Sequence, residues 1–203
     1  MRVISRLPYI LIGALLLIGC RSHDISWPDQ TLASTRAPVP SSVRRLAVIL
    51  PKTYDRTFVQ AYRRLEAGTF QLKTERPFLT ILDRSDVSAI YGEQVFQLNG
   101  GVEEVSAVHA GKLLGADTVL VFHVDGPLLK DLIVARMHGA LPPVLIVSKM
   151  IDVESGQVVY FNLVIVEIPI DPQLTLFTDR RLIQVALNDG VIQTLTDLHG
   201  AFR

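Results

Sequence analysis

Residues 118–124 read Thr-Val-Leu-Val-Phe-His-Val, and they constrain the fold of this 203-residue chain more than any other stretch. Four consecutive apolar positions, Val119, Leu120, Val121 and Phe122, make a run of strand length rich in β-branched and aromatic residues. Such a run fits a strand buried on both faces of a sheet. Residues 78–82 have the same character through Leu79 and Ile81. Between the two runs the apolar spacing becomes helical. Val87, Ile90, Tyr91 and Val95 share one face, with Ser85 as N-cap and Asp86 in the first turn. Gly100-Gly101 breaks that helix. A second helix then turns Val105, Val108, Leu113 and Leu114 inward and stops at Gly115.

The pattern extends in both directions. Upstream, Leu46-Ala47-Val48-Ile49-Leu50 is an apolar strand closed by Pro51. A turn with Tyr54 and Asp55 leads to a helix carrying Phe58, Ala61, Tyr62 and Leu65 at i, i+3, i+4 and i+7. Its other face bears Arg56, Arg63, Arg64 and Glu66, which reads as a solvated face or a basic contact patch. Strand, helix and strand here form a βαβ unit. Downstream, residues 144–153 and 157–168 flank Glu154-Ser155-Gly156, the mark of a β-hairpin. Pro169 and Pro172 end its second strand. A C-terminal helix over 174–198 has Phe177, Ile183, Ala186, Leu187 and Val191 as candidate buried positions. Gly190 within it costs about 1 kcal/mol relative to Ala unless a neighbour packs closely there. The expected class is α/β: a βαβ-type sheet with parallel strands plus an antiparallel hairpin, covered by helices, with a C-terminal helix.

The N-terminus carries a different kind of signal. Arg2 and Arg6 precede an apolar run over 7–18. That run is too short to span a bilayer, which needs about 20 apolar residues, and has the length of a signal-peptide core. It ends in Leu17-Ile18-Gly19-Cys20, which closely resembles the bacterial lipobox. The resemblance implies cleavage before Cys20, a diacylglycerol on its sulfur and a further palmitate-type chain on its new amino group. The competing reading is an ordinary signal peptide with a chance cysteine. Several acyl chains anchor stably where one binds only marginally. Cys20 is the only cysteine, so the chain forms no disulfide within itself. Arg21 rather than Asp follows it, which in the enteric sorting scheme implies the outer membrane.

Loss of residues 1–19 removes two of the 20 basic side chains and none of the 20 acidic ones, leaving a formal net charge of −2. That argues against a nucleic-acid binder, whose surface is clustered and basic. Residues 21–42 hold Pro28, Pro38, Pro40 and many Ser, Thr and Asp, the composition of a flexible linker. Fully extended, it would reach roughly 70–80 Å. The expected organisation is a signal peptide over 1–19, lipidated Cys20 with its linker over 20–42, and a single α/β domain over 43–203.

Several dispersed motifs occur in one order. They are the first strand at 46–50; Leu82-Asp83-Arg84 followed by Ile90 and Glu93-Gln94; Gly111-Lys112-Leu113-Leu114-Gly115-Ala116-Asp117 leading into a strand; and Ile151-Asp152-Val153 with Ser155-Gly156-Gln157-Val158 at the hairpin. Asn188-Asp189-Gly190 in the last helix completes the set. In these, residues 43–203 resemble the curli production assembly/transport family and the related penicillin-binding-protein activator lipoproteins. The resemblance implies an α/β domain held at the outer membrane, facing the periplasm and acting in envelope assembly or secretion.

The chain departs from the channel-forming members in two places. Only residues 51–56 separate the first strand from the first helix, where the curli channel has a long constriction loop. The channel also donates long hairpins to a barrel, and each barrel strand needs about 9–11 residues. Residues 126–143 lack the in/out alternation of such strands, and 169–173 are too few. The expectation is a non-pore relative, with an oligomeric channel subunit and an activator of a peptidoglycan synthase as alternatives.

Enzyme motifs fail on inspection. Gly111-Lys112 suggests a phosphate loop, but Ser106 stands where its first glycine belongs and Leu113 where Ser or Thr would bind Mg²⁺. His23, His109, His123, His138 and His199 show no metal-ligand spacing. No catalytic residue, cofactor or metal is expected. The expected partners are the outer membrane through Cys20 and an envelope protein, with homo-oligomerisation as a further possibility. Leu128, Leu129, Ile133 and Met137 exceed what a solvated segment needs. They either cover the sheet's edge or leave a contact patch, for which Leu129 and Ile133 are the candidate partner-binding residues.

Overall fold

The computed structural model describes residues 38–51, 54–82, 104–128, 130–133, 141–168 and 176–203. The signal peptide, Cys20, most of the linker, the helix expected to open at Ser85, Leu129 and Met137 lie outside the described residues. In chain order the elements are β1 (Arg45–Ile49), α1 (Val59–Phe70), β2 (Thr80–Leu82), α2 (Glu104–Leu114), β3 (Thr118–Asp125), β4 (Val144–Asp152), β5 (Val158–Val166) and α3 (Leu176–Ala201). They build one five-stranded sheet in the order β2-β1-β3-β4-β5. β1 pairs in parallel with β2 and β3, whereas β3-β4 and β4-β5 are antiparallel. This is the α/β class that the alternating strand and helix periods predict.

The two faces of the sheet are covered unequally. On one, Leu46, Val48, Leu120, Phe122, Ile146 and Met150 meet Tyr62 and Leu65 of α1 and Ile183, Leu187, Val191 and Leu198 of α3. All four residues of the expected stripe, Phe58 just before α1 and Ala61, Tyr62 and Leu65 within it, are buried. The Tyr62 hydroxyl accepts a hydrogen bond from the Val124 N–H at 3.0 Å, and burial pushes its pKa up. On the other face Ala47, Ile49, Val119 and Ile151 meet Ala107, Ala110 and Leu114 of α2. Strand residues alternate between the two sets because successive side chains point to opposite faces.

α2 is rotated from the expected orientation. Val105 is 79% exposed instead of inward. The packed stripe is Ala107, Ala110, Gly111 and Leu114, at i, i+3, i+4 and i+7. Small residues win because the helix lies close to the sheet: a Cβ on Gly111 would stand 2.4 Å from Val119 Cγ1. The helix stops as expected, with Gly115 at φ 63°. Beyond it, Asp117 Oδ2 accepts from the N–H groups of Arg44 and Arg45 at 2.8 and 3.0 Å, holding the start of β1.

Two other boundaries move. β2 starts at Thr80 rather than at 78, because Leu79 N–H closes a turn on the Arg76 carbonyl. Phe78 is left 82% exposed. The chain also joins the core at Val39, ahead of the domain start expected at 43. Val39 is 2% exposed, and its N–H donates to the Ala201 carbonyl at 2.8 Å. The hairpin follows the expected pattern. Gly156 has φ 69°, and Asp152 Oδ1 accepts from both the N–H and the hydroxyl of Ser155 at 2.7 Å. These bonds, the hydroxyl's first, hold the Asp152 carboxyl below its usual range. Gly190 has the close neighbour that its place in a helix demands: a Cβ there would stand 3.0 Å from Ile146 Cδ1.

Candidate partner-binding surface

α1 and α3 pack tightly at Gly68, where a Cβ would stand 2.4 Å from Leu195 Cδ1. Toward the start of both helices a groove of about 490 Å³ lies between them. Helical spacing arranges its walls. Gln60, Ala61 and Arg64 share one stripe of α1, with Thr57 in the 3-10 turn just before it, and Arg181, Gln184, Val185 and Asn188 share one stripe of α3. Ala61, Leu187 and Val191 give an apolar floor. The Arg64 guanidinium donates to Asn188 Oδ1, joining the walls. Among the described residues, no carboxylate lines the groove. Two guanidiniums and three amides above an apolar floor suit a polypeptide: amides pair with its backbone, and arginines with its carboxylates.

The sequence placed the candidate contact residues elsewhere. Leu129 and Cys20 lie outside the described residues. Ile133 lies in the helical stretch described over 130–133 and is 62% exposed. Its neighbour Leu132 is buried in the larger core, with Leu128 packed at the rim. Asp131 Oδ2 accepts the Leu128 N–H at 2.8 Å and fixes that stretch. The groove is the feature that sequence reasoning missed. Arg64 reads locally as one of several charges on an exposed face, and only the packing of two sequence-distant helices sets it beside Asn188 and Arg181. Among the described residues, no group of three or more His, Cys, Asp or Glu side chains could hold a metal. His109 and His123 are both exposed.

No family model matches the sequence, and no curated protein matches it either. Solved structures similar to it include three bacterial proteins or their domains. The LpoB C-terminal domain from Salmonella enterica has 12% identity and a TM-score of 0.42, with 65% of this chain and 88% of that one covered. Lipoprotein GNA1162 from Neisseria meningitidis has 13% identity and a TM-score of 0.37, covering 72% and 95%. The PelC dodecamer from Paraburkholderia phytofirmans has 16% identity and a TM-score of 0.35, covering 76% and 91%. Likeness at this level assigns no function.

Proposed function

We propose that this chain is a non-catalytic, lipid-anchored accessory module of the bacterial outer membrane. It faces the periplasm and binds a protein partner in envelope assembly or secretion. The observation that carries the binding role is the groove between α1 and α3, with Arg64, Arg181 and three amides over an apolar floor and no carboxylate among the described residues of its walls. The membrane role rests on the lipobox-like Leu17-Ile18-Gly19-Cys20 and the linker behind it.

Two variants of the full-length protein test the two halves separately. Cys20→Ala is expected to lose metabolic labelling by a fatty-acid analogue; equal labelling of variant and wild type would remove the anchor. The pair Arg64→Ala/Arg181→Ala replaces groove side chains outside the buried core, so folding should be unchanged. It is expected to lose cross-links to envelope proteins while staying in the membrane fraction. A cross-link pattern identical to wild type would take the groove out of the interface.

A further inference from the structure

The linker joins the folded domain at one corner, where the Arg76 side chain donates to the carbonyls of Val39, Pro40 and Phe202. Two residues further along stands Phe78, at 82% the most exposed large apolar side chain among the described residues. A lone exposed apolar side chain is ordinary. Phe78 differs in how and where it is held. On one side of it Arg76 is tied down by those three bonds. On the other, Leu79 is buried and its N–H donates to the Arg76 carbonyl at 3.0 Å. The Thr80 N–H then donates to the Arg44 carbonyl at 2.7 Å. With Leu79 taking the core, the Phe78 ring is held outward on a fixed tip.

Cations surround this tip. Lys73 lies in the 3-10 turn Gln71–Thr74 just before it, and Arg44 stands beside it at the start of β1. Both side chains are exposed and have no partner among the described residues. Arg203 is exposed as well and donates to Glu75. The two carboxylates of the corner are engaged: Glu75 by Arg203, and Asp117 by the N–H groups of Arg44 and Arg45. Asp152 and Glu154 belong to the β4–β5 hairpin, three strand positions from β2 and so about 14 Å aside. Pro38, Pro40 and Pro77 are exposed around the tip, and a proline has no N–H to leave unpaired in apolar surroundings.

An apolar ring set among cations fits an anionic bilayer surface, with the ring among the headgroups and the cations on the phosphates. The same corner is where the chain leaves for Cys20. A tether that ends here keeps the tip near the bilayer and makes the contact intramolecular, so that a weak site suffices.

We propose that this corner, with Phe78 at its tip and Arg44 and Lys73 beside it, docks on an anionic lipid surface. The proposal rests on the anchor reading of Cys20 and adds an orientation to it. The groove lies toward the other end of α1 and α3 and is thereby presented away from the bilayer.

The test uses the full-length chain in phosphatidylcholine vesicles with and without phosphatidylglycerol. Acylation blocks Cys20, so an environment-sensitive thiol probe reports only an introduced cysteine. On Phe78→Cys the emission is expected to shift to shorter wavelength, and to be quenched by spin-labelled lipid, in the anionic vesicles. On Ile165→Cys, an exposed site about 20 Å up the sheet, it is expected to stay aqueous. Lys73→Gln added to Phe78→Cys should weaken the contact about fivefold, the worth of one cation at an anionic surface, with unchanged circular dichroism. An aqueous probe at 78 in the folded chain would overturn the proposal. So would equal quenching at 78 and 165, or insertion indifferent to both phosphatidylglycerol and Lys73. A probe shielded in native membranes but aqueous in lipid vesicles would assign Phe78 to a protein contact and overturn it too. Uptake of the probe at Cys20 of the wild type, read before any vesicle is added, would overturn the anchor and this proposal together.

Discussion

The Arg76 guanidinium carbon sits 5.0 Å from the centre of the Phe202 ring, and its Nε–H donates to the Phe202 carbonyl at 3.1 Å. Its other nitrogens donate to the carbonyls of Pro40 at 2.8 Å and Val39 at 2.7 Å. One side chain therefore ties the end of the linker to the end of the last helix. Whatever pulls on the linker is met at this clasp before it reaches β1.

Replacing Arg76 by Ala removes three charge-assisted hydrogen bonds and a cation–π contact at once. The expected loss is roughly 2 kcal/mol, since each such bond is worth about 1.5–3 kcal/mol and the freed carbonyls can be rehydrated. Arg76→Lys should recover only part of it, because an ammonium cannot present the same planar fork. A lower urea midpoint at unchanged slope is the expected reading. An unchanged midpoint would show that the clasp adds nothing to stability.

Beside the clasp, Arg203 donates to both carboxylate oxygens of Glu75 at 3.2 Å. The Glu75 pKa is lowered from 4.5, first by the Arg203 hydrogen bond and further by the charges of Arg203 and His199. A depressed carboxylate stabilises the fold above its unfolded pKa and loses that contribution as pH falls through the folded one. Glu75→Gln should therefore flatten the fall in stability below pH 4.5 and change little near pH 7. The pair is exposed, so the effect is small and screened by salt. Melting temperatures of both proteins across pH 3–7 at low salt check it.

Tyr62→Phe keeps the ring and deletes one oxygen. It strands the Val124 N–H, which the Tyr62 hydroxyl satisfies inside the core. A buried donor without a partner costs about 1–3 kcal/mol. Hydrogen exchange should also speed up at Val124 relative to its neighbours in β3. Equal exchange and equal stability would mean that another acceptor takes over.

At the crossing of α1 and α3, Gly68→Val should destabilise by about 1–3 kcal/mol, because its side chain overlaps Leu195. Leu195→Ala in the same chain should return part of the loss. The two changes should thus fall short of additivity, as expected for side chains in contact. Additive effects from chemical denaturation would show that the helices do not meet there.

Much of the fold was legible because periodicity reports burial directly. The apolar run of β3 and the α1 stripe from Phe58 to Leu65 could be read as they stand. α2 was misread because large residues were weighed above small ones; close packing on the sheet selected Ala107, Ala110 and Gly111 and turned Val105 outward. Val39 was hidden between Pro38 and Pro40, whose composition reads as linker. The groove was illegible for another reason. Arg64 and Arg181 belong to different helices, and no local pattern says which polar stripe will meet which.

The bond from Val39 N–H to the Ala201 carbonyl brings the start and finish of the folded path to one spot. Topologically the domain is almost a ring. Joining the two ends with a few residues would add little loop-closure entropy. New ends opened at Ser155-Gly156, where a Cβ on Gly156 would meet nothing within 4 Å, would leave the core untouched. Such a circular permutant turns the most local strand pairing, β4 with β5, into the most distant one along the chain. Folding rate follows the sequence separation of contacts more closely than stability does. The permutant would therefore reach nearly the same free energy by a slower route.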